Sequence, residues 1–454
     1  MPFIATNPAT EEVMAEYPAL SPVELDAALE RAHDAFLRWR AMPVASRAEV
    51  LRRAAELLEG EVPVAGELMT SEMGKTFASA KGEAAKCAMT MRYFAEHADE
   101  ALAEQVVATR ARRSGVRFEP IGVIFAVMPW NFPFWQVVRM AIPTLMAGNV
   151  VAFKHAPNVP GSARYLEDLF VRAGFPKGVL TNLFVEVDQV AGIIADPRVR
   201  GVTLTGSEGA GRSIGEHAGR NLKKCVLELG GSDPFIVAGS ADLEHTIPLA
   251  VTARIQNNGQ ACIASKRYIV VREKADEFLE RFVAEMAAVT IGDPMDPATA
   301  LGPLVSRSQL DLLAAQVSTS IARGAQALTG GAALEGTGFY YPATVLVDVP
   351  SDSRAGCEEL FGPVAVVHVV DDLDAAIDLA NDTPWGLGGS IWAQDPSEID
   401  AAIAGLDVGM VFANALVVSM PELPFGGTKN SGIGRELSVY GAREFMNAKS
   451  FFVQ

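Results

Sequence analysis

Cysteine is scarce in this sequence, and no stretch stays apolar for long. The four cysteines, at positions 87, 225, 262 and 357 of 454, are too few and too far apart for a disulfide framework. Together with six scattered histidines they show no metal-ligand spacing, so we expect no metal site. No apolar run reaches the ~20 residues that span a bilayer, and the first residues lack the basic start of a signal peptide. These absences predict a soluble, cytoplasmic protein without a membrane partner.

Positive charge is in short supply as well. The chain has 38 lysines and arginines against 55 aspartates and glutamates, which gives a net charge of −17 at pH 7. Proteins that bind nucleic acid present a basic surface, so we expect no nucleic-acid partner. An anionic substrate would need a cation placed locally in its site. The length of 454 residues predicts two or three domains, each with its own core.

The first 110 residues have the pattern of helices that cover a sheet. Ser21 followed by Pro22 is typical of a helix start. Ser46–Glu49 has the pattern of a capping box, which would begin a second helix. Apolar residues at helical spacing predict a third helix from about Ala78 to Ala103.

From position 121 short β-branched or apolar runs alternate with helical segments. This alternation predicts an α/β fold with a Rossmann-type parallel sheet. The runs of the first block are Gly122–Met128, Asn149–Lys154, Leu180–Val185, Val199–Thr205 and Cys225–Leu229. Less regular runs follow at Phe235–Ala238, Tyr268–Val271, Pro363–Val370, Gly388–Trp392 and Gly409–Phe412.

Two features of the first block are typical of a nucleotide site. Lys154 ends the second predicted strand, and open parallel sheets bind ligands beyond the carboxyl ends of their strands. The glycine-rich segment 205–211 ends the fourth predicted strand and begins a helix, where free N–H groups favour phosphate. Its glycines at 206, 209 and 211 do not match the Gly-x-Gly-x-x-Gly dinucleotide motif.

The segment Gln256–Ser265 places Cys262 after a run of amide side chains and a glycine. An inert structural cysteine normally lies among aliphatic residues, whereas amide donors are expected around this sulfur. From the segment alone, a catalytic thiol and an inert core cysteine both remain open.

Five segments, in order along essentially the whole chain, resemble signatures of the NAD(P)-dependent aldehyde dehydrogenase superfamily. They are Met128–Pro133, Val226–Gly231, Asn258–Cys262, Glu358–Pro363 and Pro424–Gly427. The resemblance implies an aldehyde dehydrogenase-like fold that assembles as a homodimer or homotetramer. It implies three regions, which are an NAD(P)-binding domain (1–108 and 122–230), an α/β catalytic domain (231–437) and a small β oligomerisation element (109–121 and 438–454).

The resemblance also implies the roles of three catalytic residues. Cys262 would attack the aldehyde to give a thiohemiacetal and then a thioester. The Asn131 amide and the Cys262 N–H would hold the oxyanion. Glu228 would activate water to hydrolyse the thioester, and burial would raise its pKa towards neutrality, which suits a base. The alternative for Glu228 is a surface carboxylate.

NAD or NADP is the cofactor that the resemblance implies. The implied binding residues are Trp130, Lys154, Pro157, Gly206, Ser207, Leu229, Glu359 and Phe361. Lys154 would contact the adenosine ribose or its phosphate, and Ser207 the pyrophosphate. Glu359 and Phe361 would hold the nicotinamide ribose. Many NAD-preferring relatives carry a glutamate where this chain has Pro157, so no charge repels a 2′-phosphate and we expect no large discrimination between the two cofactors.

Within the superfamily the sequence is most similar to succinate-semialdehyde dehydrogenases. Arg139 matches an arginine with which these enzymes hold the distal carboxylate of their substrate. The implied substrate-binding residues are Phe132, Trp135, Arg139, Ser419 and Phe425. These enzymes often carry a second arginine at a position where this chain has Gln256. We therefore expect weaker binding of the substrate carboxylate and more tolerance of neutral aldehydes. The alternative for Arg139 is an ion pair with a carboxylate of the protein itself.

Three other functions remain open from the sequence. A broad-specificity dehydrogenase would oxidise other small aldehydes to acids. A CoA-acylating relative would pass the thioester to a thiol, and a base at Glu228 counts against that. A catalytically silent, structural or binding homologue would have no need of Cys262, Glu228 and Asn131 together.

Overall fold

The structure is a computed structural model that describes residues 2–454, apart from the side chain of Ala98. The helices are α1 (Pro22–Trp39), α2 (Val44–Gly60), α3 (Val62–Met73), α4 (Phe77–Leu102), α5 (Trp135–Met146), α6 (Pro160–Arg172), α7 (Val190–Ala195), α8 (Glu208–Arg220), α9 (Leu243–Ile255), α10 (Arg272–Ala287), α11 (Arg307–Ala322), α12 (Arg354–Cys357), α13 (Leu373–Asn381), α14 (Pro396–Gly405) and α15 (Ser438–Glu444). The strands are β1 (Phe3–Thr6), β2 (Val13–Tyr17), β3 (Gln105–Val106), β4 (Arg113–Pro120), β5 (Val123–Val127), β6 (Val150–Lys154), β7 (Leu180–Asn182), β8 (Val199–Thr205), β9 (Lys224–Glu228), β10 (Pro234–Val237), β11 (Arg267–Val271), β12 (Gln326–Thr329), β13 (Thr344–Val347), β14 (Val364–Val370), β15 (Trp385–Gly386), β16 (Gly388–Trp392), β17 (Met410–Ala413), β18 (Thr428–Lys429), β19 (Gly432–Ile433) and β20 (Met446–Val453).

The first large sheet has six strands in the order β19-β9-β8-β5-β6-β7. Its five longer members are parallel, and only the short strand β19 runs antiparallel, against β9. The central strands β5 and β6 are almost fully buried, as expected when helices cover both faces of a parallel sheet. The five strands predicted between residues 122 and 229 are confirmed, which places the carboxyl ends of β5, β6, β8 and β9 on one edge.

The second large sheet has seven strands in the order β12-β13-β14-β11-β10-β16-β17. It is parallel except for β12, which pairs antiparallel with β13. Five of its strands correspond to the runs predicted in the second half of the chain. A mixed α/β architecture with two parallel sheets is therefore confirmed.

The start of the second helix was predicted wrongly. Ser21 does cap α1, with the reciprocal hydrogen bonds of a capping box to Glu24. The helix α2, however, begins at Val44 after Pro43, so Ser46 lies inside its first turn and caps nothing. The Ser-x-x-Glu pattern occurs here within a helix, and the proline just before it sets the true start.

The chain ends in a small three-stranded sheet, ordered β20-β4-β3. The strand Arg113–Pro120 pairs along its length with Met446–Val453, from Pro120 opposite Met446 to Arg113 opposite Val453. These strands come from the two segments that we predict to form the oligomerisation element, and the domain boundaries stay a prediction. In the described part of the chain, no helix has the length and apolar character needed to cross a membrane.

Candidate active site

The loop that carries Cys262 is braced by its own amide side chains. Asn257 and Asn258 have left-handed backbones, with φ of 54° and 57°, a conformation that asparagine tolerates better than most residues. Asn257 Nδ2 donates to the carbonyls of Asn131 (2.8 Å) and Gln260 (3.0 Å). Asn258 Nδ2 donates to two carbonyls outside the loop. The amides therefore fix the loop backbone, which corrects the expectation that they surround the sulfur as donors.

Two hydrogen-bond donors are available beside the thiol. Asn131, in the turn after β5, donates from Nδ2 to the Gln260 carbonyl at 3.1 Å and accepts from Gln136 at 3.4 Å. An amide nitrogen carries two hydrogens, so one remains for a ligand. The backbone N–H of Cys262 has no acceptor among the described residues. Such a pair of fixed donors is the arrangement that stabilises an oxyanion.

Cys262 lies where two cavities meet, one of about 260 Å³ and one of about 140 Å³, and it lines both. Burial raises the pKa of its thiol to about 11, against the opposing effect of the cations Arg139 and Lys266. At neutral pH the ligand-free protein therefore holds Cys262 mainly as a thiol. A nucleophile in this position can be approached from two sides, which a buried spectator cysteine cannot.

The larger cavity opens at the carboxyl ends of β8 and β9. Six of the eight implied cofactor residues line it, namely Trp130, Gly206, Ser207, Leu229, Glu359 and Phe361. Lys154 and Pro157 are not among its lining residues. Lys154 ends β6 and donates to the His155 carbonyl at 3.4 Å, and it has no acidic partner among the described side chains. Pro157 is exposed in the turn that follows.

The groups that line this cavity suit the phosphate and ribose parts of a dinucleotide. Ser207 caps α8, so the helix start and its N–H groups face the same cavity. The space in front of Gly206 is open, because a Cβ there would meet only Leu204, at 3.6 Å. The Glu359 carboxylate is held by Lys266 at 3.0 Å and by the Gly231 N–H at 3.2 Å. A phosphate-binding helix start and a fixed carboxylate for ribose hydroxyls are thus present in one cavity.

The smaller cavity brings together all the implied substrate residues. Phe132, Trp135, Arg139, Ser419 and Phe425 line it, together with Gln256 and Cys262. Arg139, however, forms an ion pair with Glu436 while both side chains are almost fully buried. Its guanidinium also lies 4.1 Å from the centre of the Phe425 ring. The alternative left open by the sequence is therefore present, since a carboxylate of the protein itself already balances the charge of Arg139.

Glu228 is buried at the end of β9, with 2% of its surface exposed. This excludes the surface carboxylate that the sequence left open. Neither of its carboxylate oxygens has a hydrogen-bond partner among the described residues. Burial, with repulsion from Glu436, raises its pKa well above the usual range. Glu228 lines neither cavity; it lies against Gly426, where a Cβ would come within 2.6 Å of its Oε1.

Sequence reasoning did not single out three charged residues of this site, Lys86, Lys266 and Glu436. Lys266 donates to the carbonyls of Ala261 (3.1 Å) and Cys262 (2.5 Å) while it pairs with Glu359. It therefore links the nucleophile loop to the cofactor cavity. The one available signal was a lysine four residues after Cys262, just before a strand that is buried and mostly apolar.

Comparisons with known proteins agree with this geometry. The aldehyde dehydrogenase family matches residues 2–451. A succinate-semialdehyde dehydrogenase [NADP(+)] of Mycobacterium ulcerans is 50% identical over 457 residues, which cover all of this chain and all of that relative. One of Mycobacterium avium is 49% identical over 457 residues, which cover all of this chain and 97% of that relative. Among solved structures, a succinic semialdehyde dehydrogenase from Streptococcus pyogenes in complex with NADP+ has 38% sequence identity to this chain and a TM-score of 0.97. The match covers 99% of each chain. The chain belongs to the aldehyde dehydrogenase family.

Proposed function

We propose that this protein oxidises succinate semialdehyde to succinate with NADP+ through a covalent intermediate on Cys262. The observation that carries the proposal is the position of Cys262 on the shared wall of two cavities, one lined by six of the implied cofactor residues and the other by all the implied substrate residues. The full-length relatives named above are called succinate-semialdehyde dehydrogenases [NADP(+)], which supports this substrate and this cofactor.

The covalent step begins at the thiol. Cys262 loses its proton to solvent water, and its Sγ forms a bond to the aldehyde carbon, whose π electrons move to the oxygen. The Asn131 amide and the Cys262 N–H would bind that oxyanion. Because the pKa of Cys262 is raised to about 11 by burial, attack becomes faster as pH rises through the neutral range.

The cofactor would lie in the larger cavity, against Ser207, Glu359 and Phe361. When bound, the cofactor would supply the acceptor for the hydride of the thiohemiacetal carbon, and the acyl group left on Cys262 would be a thioester. Within the described chain Lys154 has no acidic partner, and Pro157 places no negative charge beside it. An added 2′-phosphate therefore meets a cation and no repulsion, so NADP+ is accepted while NAD+ is not excluded.

Glu228 completes the reaction by removing a proton from the water that attacks the thioester. Its raised pKa makes it a stronger base than an ordinary carboxylate, as a general base near neutral pH requires. The lack of hydrogen-bond partners leaves its carboxylate untethered, so a side-chain rotation can bring it to the thioester. Hydrolysis by a protein base distinguishes this enzyme from one that passes the acyl group to coenzyme A.

A broad-specificity aldehyde dehydrogenase is the second candidate, and one observation favours it. Arg139 is already paired with the carboxylate of Glu436, and Gln256 is neutral. Neither residue therefore offers an unpaired cation to an acidic substrate. Under this alternative, uncharged aldehydes would react as well as the acid.

One steady-state experiment separates these functions. The purified protein is mixed with succinate semialdehyde or butanal and with NADP+ or NAD+, with and without coenzyme A, and the reduced cofactor is followed by absorbance. We expect coenzyme A to have no effect and kcat/KM to be at least about tenfold higher for succinate semialdehyde. Equal kcat/KM values would favour the broad-specificity enzyme, a requirement for coenzyme A the acylating one, and no reduction with any aldehyde a silent homologue.

A further inference from the structure

Three charged side chains, Glu83, Lys86 and Arg139, line the smaller cavity. Glu83 pairs with the buried Lys75, and Arg139 pairs with the buried Glu436. Lys86 has no acidic side chain at ion-pairing distance among the described residues. The wall of the cavity therefore carries one cation whose charge the protein does not balance.

The contacts of Lys86 and Ser419 leave hydrogen-bond donors that no described residue accepts. Lys86 lies on α4, half-buried, with Nζ 2.8 Å from Ser419 Oγ and 4.3 Å from the centre of the Trp135 ring. The Trp135 indole N–H donates to the same hydroxyl oxygen at 3.0 Å. A serine hydroxyl has two lone pairs and one hydrogen. Both lone pairs are used, so the Ser419 O–H must donate elsewhere, and no acceptor for it occurs among the described residues.

Two donors without acceptors thus lie side by side on a wall of the cavity that contains Cys262. An ammonium group keeps two further hydrogens after it donates to Ser419, and the serine hydroxyl supplies a third. A carboxylate is the acceptor that matches this set in charge and in number of lone pairs. Arg139 is less suited to that contact, because the carboxylate of Glu436 already pairs with its charge.

We propose that Lys86, together with the Ser419 hydroxyl, binds the distal carboxylate of the substrate and gives the enzyme its preference for an acidic aldehyde. This specificity role rests on the proposed function. Burial and repulsion from Arg139 lower the pKa of Lys86 to about 8 in the ligand-free protein. An ammonium that is poorly solvated in this way gains more from a bound carboxylate than a solvated one does.

The test replaces Lys86 with methionine, which keeps the length of the side chain and removes its charge. We expect Lys86→Met to lose roughly 10- to 100-fold in kcat/KM for succinate semialdehyde and to keep its kcat/KM for butanal within about twofold. Lys86→Arg should recover much of the activity on the acid. Lys81→Met is the matched control, because Lys81 lies on the same helix over the Phe77 ring, at 4.6 Å, and outside the cavity.

The outcomes separate this proposal from the proposed function. If the wild-type enzyme prefers succinate semialdehyde and Lys86→Met keeps that preference, the role of Lys86 is wrong while the function stands. If the wild-type enzyme shows no preference, the substrate assignment itself fails. Equal losses on both aldehydes in Lys86→Met would overturn the specificity role and leave Lys86 as a residue that supports Trp135 and Ser419 structurally.

Discussion

Replacing Arg139 with methionine should damage the fold more than it damages substrate selection. Its guanidinium and the Glu436 carboxylate are 2% and 4% exposed. Removal of one member of such a pair leaves a buried charge uncompensated, which typically costs about 3–5 kcal/mol of stability. The nearby Glu228 adds to the cost, because Arg139 is the main cation that opposes the repulsion between Glu228 and Glu436.

The double variant Arg139→Met with Glu436→Gln should regain most of this stability. Replacement of a whole buried ion pair by uncharged groups of similar volume is often nearly neutral. The measurement is the thermal unfolding midpoint of the wild type, the two single variants and the double variant. We expect both single variants to unfold at lower temperature than the double variant.

The same proteins are assayed with succinate semialdehyde and butanal. If Arg139 stabilises the fold and lowers the pKa of Cys262 without contacting the substrate, Arg139→Met should lower kcat/KM by the same factor for both aldehydes. A stable Arg139→Met protein that loses kcat/KM selectively for the acid would refute this reasoning. It would restore Arg139 as the direct ligand of the substrate carboxylate, in line with the expectation from the sequence.

Three further predictions concern the cofactor, the oxyanion and pH. Pro157→Glu should lower kcat/KM with NADP+ relative to NAD+, because a carboxylate would then repel the 2′-phosphate near Lys154; an unchanged ratio would place residue 157 away from the ribose. Asn131→Ala should lower kcat roughly 100- to 1000-fold for both aldehydes, as loss of one oxyanion donor does, and a loss below tenfold would remove Asn131 from that role. The kcat/KM ratio of succinate semialdehyde to butanal should fall above about pH 8, where Lys86 loses its proton. Arg139, Cys87 and the paired Glu83 are the other charged or titratable groups that act on Lys86, and a ratio that stays flat to pH 9.5 would contradict the role of its charge.

The sequence predicted the first sheet well because of how parallel strands are buried. Strands covered on both faces are continuous apolar runs, and Val199–Thr205 is found with the predicted bounds. The strand Gln326–Thr329 was missed because it lies at the edge of its sheet and is mostly exposed, so its sequence resembles a loop. The helix Val62–Met73 was missed as well; its buried residues include Gly66, Thr70 and Glu72, which blur its apolar pattern.

At the site, the motifs predicted roles for Cys262, Asn131 and Glu228 but did not predict which charged side chains pair. The partner of Arg139 lies 297 residues further along the chain, and that of Lys86 lies 333 residues away. No local pattern distinguishes a lysine that faces a cavity from one that faces solvent on the same helix. The sequence therefore predicts a cation for an acidic substrate and names Arg139, whereas the proposal for Lys86 depends on the packing of α4 against the Ser419 segment.

The most direct test of the account is the mass of the protein after a single turnover. Glu228→Gln removes the base while keeping the size of the buried side chain. This variant is mixed with succinate semialdehyde and NADP+, quenched in acid, digested and analysed by mass spectrometry. We predict one equivalent of reduced cofactor and one succinyl group on the peptide that contains Cys262. Reduced cofactor without an acylated peptide, or a succinyl group on another residue, would contradict the covalent mechanism proposed for this enzyme.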